Sequence, residues 1–131
     1  MQPPSVLVVD DSEPVRSLLA QALRHRGYVV HEAADGPAAL RIAYDVRPVV
    51  AIVDQWMPVM TGAELIRLLR AAPVQEVRKV AIIGLSGRPG SERDLLGAGA
   101  GTFLAKPFGE AELFAALATV VGEDEPASGA A

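Results

Sequence analysis

The chain has 131 residues, of which 50% are hydrophobic, no cysteine and a formal net charge of −4. This length suits one domain with an ordinary core, and the lack of thiols excludes disulfides and thiolate metal sites. There is no basic stripe and no apolar run near the ~18 residues of a membrane span, so we expect no binding to nucleic acid or membrane. The first residues show no signal segment, and we expect a cytoplasmic protein.

Five apolar segments alternate with helical patterns along the chain, which is typical of βα units that build a parallel sheet. The predicted strands are, in chain order, Ser5–Val9, 28–33, 49–53, 80–85 and Thr102–Ala105. Helices are predicted after Ser12, over 37–45, after Gly62, over Ser91–Ala98 and over Glu110–Val121. The first strand is a continuous apolar run, as expected for a strand buried on both faces. The sequence therefore predicts an α/β fold of five βα units.

The first and third predicted helices carry regular apolar stripes. In the first, Ser12 is typical of an N-cap, Pro14 fits the first turn and Gly27 is a typical stop. The stripe predicted to be buried there consists of Val15, Leu18, Leu19, Ala22 and Leu23. The corresponding face of the third helix consists of Leu65, Ile66, Leu68 and Leu69. This spacing predicts that both helices pack against the sheet.

Polar residues that can carry chemistry follow four of the five predicted strands. They are Asp10, Asp11, Asp54, Ser86 and Lys106. Because parallel strands end at one edge of an open sheet, where ligands bind in a crevice, we expect these side chains to meet. Each residue alone has an ordinary interpretation as a cap, a turn residue or a surface lysine, but their recurrence at strand ends indicates one shared site.

Three carboxylates, a hydroxyl and an ammonium in one crevice are typical of a divalent cation beside a phosphoryl group. Adjacent Asp10 and Asp11 point in different directions, so one can bind the cation directly and the other through a water. Asp54 is a candidate nucleophile, since carboxylates form aspartyl phosphates. Lys106 suits a phosphate oxygen as a point charge, and Ser86 can hydrogen-bond another oxygen.

These residues belong to longer motifs that resemble the receiver domain of two-component response regulators. The matching stretches are VLVVDD at 6–11, DQWMP at 54–58, MTG at 60–62, LSG at 85–87 and GAGTFLAKPF at 99–108. The resemblance extends over about residues 4–121. It implies a flavodoxin-like (βα)5 doubly wound parallel sheet with strand order 2-1-3-4-5. We expect a receiver domain over 1–121 and an acidic, disordered tail over 122–131.

The resemblance implies a role for each residue around the predicted phosphorylation site. Asp54 is the expected phosphoacceptor. Asp11 is the expected direct ligand of Mg²⁺ and Asp10 the water-mediated one, while Asp54 and the backbone carbonyl of Trp56 complete the expected metal set. Lys106 is expected to bind the phosphoryl group.

A second set of implied roles concerns switching and partners. Ser86 resembles the hydroxyl that moves toward the phosphate, and Phe103 resembles the aromatic residue that turns inward with it. A histidine kinase or phosphotransfer protein would donate the phosphoryl group, and a downstream protein target would bind the phosphorylated form. A homodimer would use the face built by the fourth predicted helix, the fifth strand and the fifth helix. The dense apolar residues of that last helix, Glu110–Val121, predict an exposed patch.

Two other functions remain open from the sequence. One is a receiver-like interaction scaffold that works without phosphorylation, which the complete set of Asp54, Ser86 and Lys106 argues against. The other is an aspartyl-phosphate phosphohydrolase, a class that shares the strand-end aspartate but needs a second acid two residues later, where Trp56 stands. We therefore expect a signalling module that promotes its own phosphorylation, not an enzyme. The segment between Ser86 and Lys106 is short and rich in glycine, which predicts a short fourth helix.

Overall fold

The computed structural model describes residues 3–121, so the expected disordered tail over 122–131 lies outside the described residues. Five strands form one sheet: β1 Ser5–Val9, β2 Val29–Ala33, β3 Val50–Asp54, β4 Ala81–Ser86 and β5 Thr102–Ala105. The helices are α1 Glu13–His25, α2 Gly36–Val46, α3 Gly62–Arg70, α4 Gln75–Arg78, α5 Ser91–Ala98 and α6 Glu110–Val121. Among these residues, no helix has the length and apolar character needed to cross a membrane.

All strands are parallel and their order is β2-β1-β3-β4-β5. The predicted flavodoxin-like topology is therefore confirmed. The register aligns Val9 with Val53 on β3, and Asp54 with Leu85 on β4. This alignment places the carboxyl ends of the central strands side by side, which is where an open α/β sheet binds its ligands.

Side chains of each strand alternate between two apolar cores, one on each face of the sheet. Leu7 and Val9 belong to the core covered by α2, α3 and α5, whereas Val6 and Val8 belong to the core covered by α1 and α6. Burial on both faces explains why the strands are continuous apolar runs instead of alternating ones.

Several sequence predictions need correction, and the strand predicted at 28–33 begins one residue later, at Val29. The strands predicted at 49–53 and 80–85 each begin and end one residue later, so Asp54 and Ser86 are the last residues of β3 and β4. The predicted buried stripes were too wide, since Leu18 is 57% and Leu68 is 47% exposed. Both lie about 100° around the helix from a fully buried leucine, at the edge of the inward stripe. The single turn α4 was not predicted at all.

The exposed apolar patch predicted for the last helix was wrong. Leu113 and Leu117 of α6 are buried, and Phe114 and Val120 are half-buried and pack against the same core. The Arg26 guanidinium lies 3.7 Å from the centroid of the Phe114 ring and covers part of it. Within the described chain, no large hydrophobic side chain of α6 is exposed. The apolar composition of this helix reflects a broad contact with the sheet, so the apolar argument for a homodimer through it does not hold.

Candidate functional site

The backbone brings the four polar segments to one edge of the sheet. Asp10 follows β1 directly, and its backbone N–H donates to the Ala33 carbonyl at the end of β2 at 3.1 Å. Asp54 and Ser86 end β3 and β4. Lys106 follows β5, and its backbone N–H donates to the Ser86 carbonyl at 3.0 Å. The backbone of each candidate site residue is thus fixed by the sheet itself, because the hydrogen-bond ladder extends to these positions.

Three carboxylates meet at this edge. Asp10, Asp11 and Asp54 each offer an oxygen, and these oxygens all lie within 4.8 Å of one another. Asp10 and Asp54 are buried, whereas Asp11 is exposed. The predicted convergence of the three acids is confirmed, and their arrangement leaves one side of the cluster open to solvent.

Lys106 joins two of these carboxylates. Its Nζ lies 2.9 Å from Asp10 Oδ2 and 3.1 Å from Asp54 Oδ1. One ammonium faces three carboxylates here, so the cluster retains excess negative charge. That charge favours a further cation, and the hard oxygen ligands favour one such as Mg²⁺.

The electrostatics of Asp54 follow from its burial. Loss of solvation, and then the charge of Asp10, raise the pKa of Asp54 from its ordinary 3.8 to about 6, although Lys106 acts to lower it. Burial alone would lower the pKa of Lys106, but the hydrogen bonds and charges of the two aspartates outweigh this effect and raise it. Lys106 is therefore a permanent cation, and Asp54 ionises more readily when another cation approaches.

Asp10 is held from three directions. The Ser12 backbone N–H donates to its Oδ1 at 2.9 Å, and the Arg16 guanidinium donates to its backbone carbonyl at 2.8 Å. Among the described residues, the buried Oδ2 has no hydrogen bond beyond its ion pair with Lys106. An oriented carboxylate with unused acceptor capacity fits a metal ligand well. Arg16 was not among the predicted site residues, although it follows the N-cap Ser12 by four residues, about one helical turn.

Ser86 and Phe103 lie on the neighbouring side of the crevice. Ser86 is 2% exposed and its Oγ accepts a hydrogen bond from the Arg88 backbone N–H at 3.2 Å. Phe103 is half-buried, and both residues line a cavity of 240 Å³ together with Lys106. The switching roles predicted for Ser86 and Phe103 stay predictions, but the cavity provides space beside both.

Trp56 turns its side chain toward the segment that follows β4. Its indole N–H donates to Ser91 Oγ at 3.0 Å, and the Arg88 guanidinium lies 4.8 Å from the centroid of its ring. Trp56 as a whole residue remains 41% exposed. Neither partner was predicted from the sequence, because Arg88 and Ser91 lie 32 and 35 positions after Trp56 and no local pattern pairs residues so far apart.

Comparisons with known proteins point to one family. The family model of the response regulator receiver domain matches residues 6–118. The transcriptional regulatory protein PrrA of Mycobacterium leprae is 40% identical over 114 residues, which cover 86% of this chain and 47% of that protein. The chain thus spans about half the length of such relatives.

Solved structures show the same fold. The chemotaxis protein CheY4 of Vibrio cholerae aligns with a TM-score of 0.82 at 36% identity, covering 91% of this chain and 99% of that one. The receiver domain of the sensor histidine kinase PA1611 of Pseudomonas aeruginosa, solved with a magnesium ion in its active site cleft, aligns with a TM-score of 0.84 at 33% identity. Those aligned residues cover 93% of this chain and 100% of that one. The chain belongs to the family of receiver domains of two-component response regulators.

Proposed function

We propose that this receiver is a phosphoacceptor, with Asp54 as the residue that takes the phosphoryl group. The observation that carries the proposal is the placement of Asp54. It is buried, lies 3.1 Å from the Lys106 ammonium, and shares a carboxylate cluster with Asp10 and Asp11. A histidine kinase or phosphotransfer protein would be the donor, and we place this exchange in the cytoplasm, the compartment expected for two-component response regulators.

In the proposed reaction, an Asp54 carboxylate oxygen attacks the phosphorus of a phosphohistidine. The P–N bond breaks, and its electron pair leaves with the imidazole nitrogen. The product is an acyl phosphate on Asp54. Lys106 then gains a phosphoryl oxygen as its partner in place of the Asp54 oxygen that has reacted, so the charge on the transferred group is balanced by a fixed cation.

Asp10 and Asp11, with Asp54 and the Trp56 carbonyl, would hold a Mg²⁺ ion at this edge. When bound, the ion would neutralise charge on the transferring group. The open side of the cluster at Asp11 offers the ion and its remaining waters a way in. The buried Asp10 oxygen with spare acceptor capacity supports this assignment.

The modified domain would signal through Ser86 and Phe103. Ser86 would turn its hydroxyl toward the phosphoryl group, and Phe103 would move into the space beside it. A change on the surface of α5, β5 and α6 would then alter the binding of a downstream protein or of a second copy of the chain. Phosphorylation of this kind is a signalling step and involves no turnover of a separate substrate.

The proposal is tested by intact-mass measurement after incubation with Mg²⁺ and a small phosphodonor such as acetyl phosphate. We expect a single phosphoryl adduct that is lost in Asp54→Asn and retained in Asp45→Asn, a control at an exposed aspartate of α2. An adduct that persists in Asp54→Asn would refute the phosphoacceptor assignment. A partner that binds equally well with and without the adduct would favour the phosphorylation-independent scaffold.

A further inference from the structure

Trp56 contacts segment 86–91 at two points, Ser91 and Arg88. Its indole N–H donates to Ser91 Oγ at 3.0 Å, and its ring lies under the Arg88 guanidinium, with 4.8 Å between the two centres. The Arg88 backbone N–H in turn donates to Ser86 Oγ at 3.2 Å. The indole thus connects the loop after β3 to the loop after β4.

The Ser91 end of this connection is fixed. Ser91 is 1% exposed and is the first residue of α5, directly after Gly90, which has a left-handed φ of 86°. That conformation is easy for glycine and disfavoured for other residues, so the entry into the helix is well defined. A buried hydroxyl that loses its hydrogen-bond partner destabilises the fold. The Trp56 indole supplies that partner from a partly exposed loop.

Trp56 depends on the hydrogen bond between its indole and Ser91 more strongly than Ser91 does. The preceding residue, Gln55, is held by the backbone, because its N–H donates to the Leu85 carbonyl at 3.1 Å. Its side-chain oxygen also accepts from the Ala63 N–H at 2.8 Å. Trp56 itself is held through its indole N–H. The side chain is therefore the anchor that orients residue 56.

We propose that Ser91 is a positioning residue for the metal site, because its buried hydroxyl holds Trp56 and so orients the backbone carbonyl of that residue. This inference rests on the proposed function, in which that carbonyl is a metal ligand. A ligand that is already held in place loses less conformational freedom when an ion binds. Metal affinity therefore depends on the start of α5, and by thermodynamic reciprocity metal binding strengthens the attachment of α5.

The test is a calorimetric titration of Mg²⁺ into the wild-type protein, Ser91→Ala, Trp56→Phe and the double variant. Trp56→Phe keeps an aromatic ring for Arg88 but removes the donor. Each single variant should weaken Mg²⁺ binding about fivefold, the size of one lost hydrogen bond. The double variant should bind as weakly as either single one, because both remove the same bond. Ser17→Ala, at an exposed serine of α1, is the matched control and should bind like the wild type.

A second readout needs no metal. In the metal-free protein, Ser91→Ala should increase the quenching of Trp56 fluorescence by acrylamide, because the freed indole becomes more exposed. Unchanged quenching together with Mg²⁺ affinities within about twofold of the wild type would overturn the positioning role alone. If Ser91→Ala does not fold, the Mg²⁺ affinity of Trp56→Phe tests the positioning role instead. A wild-type protein that binds no Mg²⁺ would overturn both this inference and the metal part of the proposed function.

Discussion

At the scale of single residues, Asp54 is a carboxylate whose burial opposes its own charge. Its pKa in the folded protein is about 6 and the ordinary value is 3.8, so the folded state holds the proton more tightly than the unfolded chain. By linkage, the stabilising effect of the protonated form is fully present below about pH 4, declines as the pH rises, and is absent above about pH 6. The charged form of Asp54 therefore strains the fold at neutral pH.

The raised pKa of Asp54 predicts that Asp54→Asn stabilises the metal-free protein in a pH-dependent way. We expect a gain in the free energy of unfolding of about 2 kcal/mol near pH 7.5 and almost none near pH 4. The measurement is urea denaturation at both pH values in the presence of a chelator. Asp45→Asn serves as a control at an exposed site. Equal stability of Asp54→Asn and wild type near pH 7.5 would show that the buried charge carries no such cost.

Val59 is a second residue under strain. It has a φ of 76°, which is disfavoured for a β-branched residue, and the residue is 81% exposed, so it gains little from packing. Val59→Asn and Val59→Gly should both raise the free energy of unfolding by about 1 kcal/mol, since both residues adopt this conformation more readily. Val59→Ala removes most of the side chain but keeps the Cβ, so it should gain less. The measurement is thermal denaturation of the three variants. If Val59→Ala is stabilised as much as Val59→Gly, the gain comes from removing an exposed apolar side chain and not from relieving the backbone conformation.

At the scale of elements, the start of α3 is pressed against the end of β3. A Cβ on Gly62 would overlap the backbone carbonyl oxygen of Asp54, which cannot move without shifting the strand. We predict that Gly62→Ala lowers the free energy of unfolding by about 2 kcal/mol and slows phosphorylation by a small phosphodonor, because Asp54, the proposed phosphoacceptor, is displaced.

Gly97, inside α5, offers the matched control for this prediction. A Cβ there meets no atom within 4 Å, so Gly97→Ala should stabilise the protein by up to about 1 kcal/mol through helix propensity. Phosphorylation should be unaffected. The same destabilisation in both alanine variants, measured by chemical denaturation, would contradict the close contact between α3 and β3.

At the scale of the whole molecule, the proposed metal site would connect global stability to the Mg²⁺ concentration. A ligand that binds the folded state alone stabilises it by about 2.7 kcal/mol at a hundred times its dissociation constant. We therefore expect the unfolding temperature to keep rising with the logarithm of the Mg²⁺ concentration once that concentration exceeds the dissociation constant, and we expect this rise to disappear in Asp11→Asn. Asp11 is exposed, so its substitution should leave the metal-free fold intact. An equal rise in the variant would indicate that the ion acts elsewhere.

The five βα units and the positions of most candidate site residues followed from short-range patterns in the sequence, whereas the strand order 2-1-3-4-5 was implied by the family resemblance. Five apolar runs separated by helical periods predicted the sheet, because strands buried on both faces need continuous apolar residues. The order of β and α units then restricted the topology, since parallel strands need crossover helices. Asp10, Asp54, Ser86 and Lys106 could be assigned to one site because each is a polar residue at the end of a predicted strand. The end of a strand can be recognised from the few apolar residues before it.

The tertiary structure decided what depends on contacts between distant segments. The apolar composition of α6 could not show whether Phe114 faces solvent, because Arg26 and the core that cover it come from elsewhere in the chain. The raised pKa of Asp54 depends on burial and on the neighbouring Asp10, and the attachment of Trp56 depends on Ser91. Local sequence determines which segments form helices and strands and which chemical groups the side chains offer. Proximity in space sets which groups meet and how strongly they are desolvated, and only the folded chain supplies it.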